Sequence, residues 1–62
     1  MAPVWRLVRG GKMKIGDLVE MYGEPEFYGI VLRRSEVIGR WYVLWQSGVI
    51  FEREESLLEL VQ

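Results

Sequence analysis

The stretch Arg40-Trp41-Tyr42-Val43-Leu44-Trp45-Gln46-Ser47-Gly48-Val49-Ile50-Phe51-Glu52 leaves the chain little choice of fold. Two runs rich in aromatic and β-branched residues are divided by Ser47-Gly48, the pattern of an antiparallel hairpin with a tight turn. Two of the three Trp residues lie in this hairpin, so in a chain of 62 residues they must supply much of the core. Alternation puts Trp41, Val43 and Trp45 on one face of the first strand and Tyr42 and Leu44 on the other. Val43 with part of the Trp pair is expected inside. Tyr42, Tyr28 and Phe27 are expected in an exposed cluster.

A chain of this length makes one domain, near the lower limit for unaided folding. It has no Cys, hence neither a disulfide nor a thiolate metal site, and half of its residues are hydrophobic, which favours a packed core over disorder. A small core leaves homo-oligomerisation open as a source of further stability.

The hairpin divides the rest of the chain into short elements. Residues 1–12 form an N-terminal extension, read either as a tail or as an additional strand turned at Gly10-Gly11. Arg9-Gly10-Gly11-Lys12-Met13 also matches the translation of a purine-rich ribosome-binding site followed by a start codon, which makes Met13 an alternative start. Residues 13–62 form the domain. Lys14–Tyr22 gives a first strand after a turn at Gly16-Asp17, with Leu18 and Glu20 alternating against Val19 and Met21. Gly23-Glu24-Pro25-Glu26 is expected as a long wet loop, because Gly, Pro and paired Glu all oppose a strand. Phe27–Arg34 is the second strand, in which Gly29 marks a bulge or a close backbone approach. Ser35–Gly39 is a loop, unusually apolar at Val37 and Ile38. Arg53–Ser56 is a polar turn with one turn of 3-10 helix, and Leu57–Val61 a last strand closing against the first. The expected class is all-β, a small, partly open five-stranded barrel.

The order of these elements resembles the Src-homology-3-like barrel. Trp41-Tyr42 at the start of strand three is similar to that fold's aromatic pair, and the spacings to Ser47-Gly48 and on to Leu57-Leu58 also fit. The peptide-binding members carry a Tyr-rich stretch early and a Pro-Ser-Asn-Tyr-type stretch before the last strand. Here those regions read Leu18-Val19-Glu20-Met21-Tyr22 and Glu54-Glu55-Ser56-Leu57, so most of the wall of a proline-recognition groove is missing. Gly16-Asp17-Leu18-Val19 followed by Tyr28-Gly29-Ile30-Val31 is similar to the start of a KOW module. Trp41–Trp45 resembles the central strand of Tudor and chromo barrels. Met13–Val19 and Phe51–Val61 together are most similar to uncharacterised short proteins of bacteriophages, a resemblance that implies a prokaryotic or phage origin and no activity.

Chemistry is sparse. Without His or Cys, Ser35, Ser47 and Ser56 have no activating base, and each sits where turns favour Ser. Gly10-Gly11-Lys12 lacks the spacing and the following hydroxyl of a phosphate-binding loop. Glu52, Glu54 and Glu55 have Arg53 among them and read as a solvated acidic turn, not a cation site. The chain is therefore expected to be no enzyme and to need no cofactor or metal. No apolar run approaches the roughly 20 residues of a membrane span and no signal-peptide core is visible. The expected location is the cytoplasm, the host's if the chain is phage-encoded.

What remains is binding. Aromatic and Arg side chains anchor interfaces, and Phe27, Tyr28, Arg34, Val37, Ile38 and Tyr42 are the expected contacts of a protein partner. The alternative is nucleic acid held by Arg33, Arg34 and Arg40 with nearby rings. The charge balance of eight basic against nine acidic side chains weighs against broad phosphate binding. A third alternative is a structural subunit of an assembly.

Overall fold

The computed structural model describes residues 13–61. The expectations for residues 1–12, whether tail or strand, lie outside the described residues, as does Gln62. Five strands form one antiparallel sheet: β1 (Leu18–Met21), β2 (Glu24–Arg34), β3 (Arg40–Trp45), β4 (Ile50–Glu54) and β5 (Leu58–Leu60). Their order across the sheet is β4-β3-β2-β1-β5, which leaves β4 and β5 as its edges. A single 3-10 turn, Glu55–Leu57, links β4 to β5, and no α-helix occurs among the described residues.

The core comes from the alternation. Val19, Val31 and Val43, one from each central strand, are fully buried, and Val31 stands opposite Val43. Trp41, Met13 and Leu58 complete the buried cluster, with Met21, Trp45 and Leu60 packed beside it. The expectation that Val43 and part of the Trp pair lie inside holds: Trp41 is buried, Trp45 partly so. β5 pairs with β1 as expected, Val19 opposite Leu60, and the amide of Val61 donates to the carbonyl of Leu18.

Three boundaries differ from those read in the sequence. β2 begins at Glu24, so the expected long loop shrinks to the two-residue turn Tyr22-Gly23, with Gly23 at a φ of 82° that favours glycine. Pro25 is tolerated because residues 25–27 fall in a gap in the ladder, where β1 passes from Glu20↔Tyr28 straight to Met21↔Glu24. The missing N–H breaks no bond there. The Gln46 side chain takes the place of a strand partner: its Oε1 accepts from the amide of Tyr28 and its Nε2 donates to the carbonyl of Glu26. At the other end of the chain, Arg53 and Glu54 extend β4, which moves the 3-10 turn to Glu55–Leu57.

Gly29 marks a close approach, and the bulge lies elsewhere. A Cβ at Gly29 would fall 2.4 Å from the carbonyl oxygen of Leu44 and 2.7 Å from Val43 Cγ1. The register slips instead between Val31 and Arg33, where Leu32 is the extra residue. That slip keeps Arg34 opposite Trp41 and Arg33 opposite Tyr42, and so decides on which face each guanidinium lies.

Candidate functional site

The core face of the sheet has two unlike ends. At the Trp41 end, Trp41 is 2% exposed, and its Nε1 donates to Glu55 Oε1 of the 3-10 turn at 3.0 Å. The Arg34 guanidinium lies 4.4 Å from the centroid of the indole. This end is closed.

At the Trp45 end, the face opens into a cleft of about 390 Å³. Met21, Phe27, Trp45, Val49 and Phe51 form its apolar wall, with Glu24, Gln46, Ser47 and Arg53 at the polar rim. The Arg53 guanidinium rests 4.2 Å from the Phe51 ring centroid. Trp45 Nε1 lies buried with no hydrogen-bond acceptor among the described residues. An orphaned buried donor of this kind costs about 1–3 kcal/mol. It stands out because native proteins pair nearly all such groups.

The opposite face carries a second apolar feature. Leu18, Ile30, Leu44 and Ile50 stand opposite one another across β1, β2, β3 and β4, forming an exposed aliphatic row perpendicular to the strands. Tyr28 stands one register step away on the same face, opposite Glu20. Toward the β2–β3 turn the row meets a polar cluster. Arg33 stacks on the Tyr42 ring at 4.3 Å and pairs with Glu36 at 3.5 Å. Arg40 reaches Glu52 at 3.7 Å and Glu54 at 3.6 Å, and Ser35 Oγ donates to Glu52. The Glu36 carboxyl is held below its usual range, first by a hydrogen bond from its own backbone amide and then by the Arg33 charge.

The residues expected to bind a partner are thus divided among several places. Phe27 lines the cleft. Tyr28 borders the aliphatic row, and Tyr42 lies in the polar cluster, its hydroxyl 3.4 Å from Glu36. Val37 and Ile38 project from the β2–β3 turn, Ile38 being 98% exposed, where they flank a shallow groove with Arg40 and Glu54–Ser56. Arg34 covers Trp41. The three Arg of the nucleic-acid alternative are likewise separated: Arg33 and Arg40 face the polar cluster, and Arg34 faces the core side.

Sequence reasoning misses Met21, Trp45, Phe51 and Arg53 as one site. The alternation Trp45-x-Val43 and Phe51-x-Arg53 is visible in the chain, but the approach of Met21 and Phe27 depends on the early start of β2. Among the described residues no group of three or more His, Cys, Asp or Glu gathers as a metal would need, and no helix is long and apolar enough to cross a membrane. Compared with known protein families, curated proteins and solved structures, the chain matches none.

Proposed function

We propose that this chain is a non-enzymatic interaction module on an Src-homology-3-like barrel, docking a protein partner at the cleft beside Trp45. The barrel reading is supported by the strand order β4-β3-β2-β1-β5, by the 11-residue β2 that serves both β1 and β3, and by the 3-10 turn leading into β5. The observation that carries the function is the cleft itself. Aromatic walls and a guanidinium at the rim are what interface anchors are made of.

A protein partner is favoured over nucleic acid by the engagement of the basic side chains. Arg33 and Arg40 each meet a Glu within 4 Å, and the described residues carry five basic against nine acidic side chains. Phosphate binding needs clustered, uncommitted cations.

The test is affinity capture with the full chain and two variants, alongside an amide titration with mixed short DNA and RNA. A captured protein lost with Phe51→Ala and retained with Arg33→Ala supports the reading. Salt-sensitive shifts centred on Arg33, Arg34 and Arg40 with the oligonucleotides, and no protein sensitive to Phe51, would replace it with nucleic-acid binding.

A further inference from the structure

We propose that the cleft and the free edge of β4 together form a receptor for one extended peptide strand, with large apolar side chains alternating with Lys or Arg. This rests on the protein-binding reading and names the chemistry of its partner. Three observations meet at this place.

The first is the edge. Among the described residues β4 pairs with β3 on one side only. The amide of Trp45 donates to the carbonyl of Val49, so in this antiparallel ladder Val49, Phe51 and Arg53 turn their backbone groups toward β3. Ile50, Glu52 and Glu54 therefore turn theirs outward, and these are the groups an added strand would use.

The second is the side-chain pattern of that edge. Phe51 and Arg53 line the cleft, whereas Ile50, Glu52 and Glu54 stand on the opposite face. A strand laid beside β4 would send alternate side chains to the same two faces. Those entering the cleft meet Phe27, Trp45 and Phe51 and should be apolar. Those on the far face meet Glu52 and Glu54, two carboxylates that share the single Arg40 guanidinium and so retain a net negative charge, and should be basic. A second copy of this chain is disfavoured as the occupant, because two β4 edges side by side would bring their Glu52 and Glu54 carboxylates together.

The third is the Trp45 ring. It lines the cleft together with Phe27 and Phe51, and a flat aromatic wall of this kind fits the apolar side chains of an inserted strand. Arg53, placed over Phe51 at the rim, makes the same cleft unfavourable for a free cation.

The experiment titrates the isotope-labelled full chain with the heptapeptide Arg-Val-Arg-Leu-Arg-Val-Arg, blocked at both ends, and with its counterpart bearing Glu for Arg. The expected result is a shift of the Trp45 indole N–H and of the Ile50, Glu52 and Glu54 amides, with the basic peptide bound at least tenfold more tightly at low salt. Trp45→Phe should weaken binding about tenfold, and Glu54→Lys should narrow the gap between the two peptides, which keeps the proposal testable if one variant folds poorly. Equal affinity for both peptides, or no shift at these four groups, overturns it. Shifts gathered instead on Leu18, Ile30 and Leu44 overturn it while leaving a protein-binding module on the outer face. Shifts at the β4 edge produced by raising the protein concentration alone would put a second copy there and also overturn it. Failure to capture any protein that is lost with Phe51→Ala is the separate result that would remove the underlying reading.

Discussion

Trp41 and Trp45 lie four residues apart on one face of one strand, yet they meet opposite fates. Trp41 shares the buried cluster with Met13 and Leu58, has an acceptor for its N–H on the 3-10 turn, and carries a guanidinium across its ring. Trp45 has an open cleft and no acceptor. Identical chemistry is thus used once to hold the sheet together and once to leave a surface unfinished. The difference comes from the path of the chain after β4. Glu54 leads directly into a turn that folds over Trp41, and among the described residues no element returns over Trp45.

The comparison breaks most readily at Trp41. Trp41→Ala removes a buried ring and orphans Glu55, and should cost about 3–5 kcal/mol, enough to unfold most of so small a domain. Urea denaturation followed by circular dichroism would read this, and a loss under about 1 kcal/mol would show that the two ends do not differ as described. Gly29→Ala comes next. Its methyl would overlap the Leu44 carbonyl, a backbone atom that cannot step aside, so a loss of about 1–3 kcal/mol is expected in the same assay. Trp45→Phe should change stability by less than about 1 kcal/mol, because the lost apolar contact is offset by removing an unsatisfied N–H. A large loss would mean that Trp45 is as much a core residue as Trp41.

The smallest effect concerns the polar cluster on the opposite face. With its folded-state pKa lowered, Glu36 adds stability that is present above its unfolded value of 4.5 and fades as the pH falls through the lower folded value. The group is fully exposed, so the expected sign is a slightly shallower acid dependence of the melting temperature in Glu36→Gln. A steeper dependence in the variant would contradict it.

Much of the fold can be read from the chain because its signals are local. The run Trp41–Trp45, the turn at Ser47-Gly48 and the alternation of Val19 and Met21 report directly on which side chains face inward. The start of β2 cannot be read in this way, because Glu24-Pro25-Glu26 has every property of a loop. It becomes strand because Met21 pairs with Glu24 and because Gln46, 20 residues away from Glu26, supplies a partner further along. The candidate site is less legible for the same reason. Exposure singles out Phe27, but the cleft it lines depends on Met21, Trp45 and Phe51 being brought beside it by three separate pairings. Tyr42 and Arg34 read as surface residues, and each is committed to a neighbour that the bulge at Leu32 assigns to it.

The pairing of β5 with β1 has a consequence for how the chain is made. β1 lies between β2 and β5, so until Leu58–Leu60 leave the ribosome its outer side is an unpaired edge. Everything from β1 to β4 can already exist as a three-hairpin meander, but the last link joins Leu18 to Val61, across nearly the whole domain. Closing so long a loop is entropically slow compared with forming the hairpins. Synthesis of this domain should therefore end with a brief interval in which a nearly complete sheet waits for its fifth strand, and during that interval any chaperone or neighbouring chain competes with β5 for the same row of hydrogen bonds.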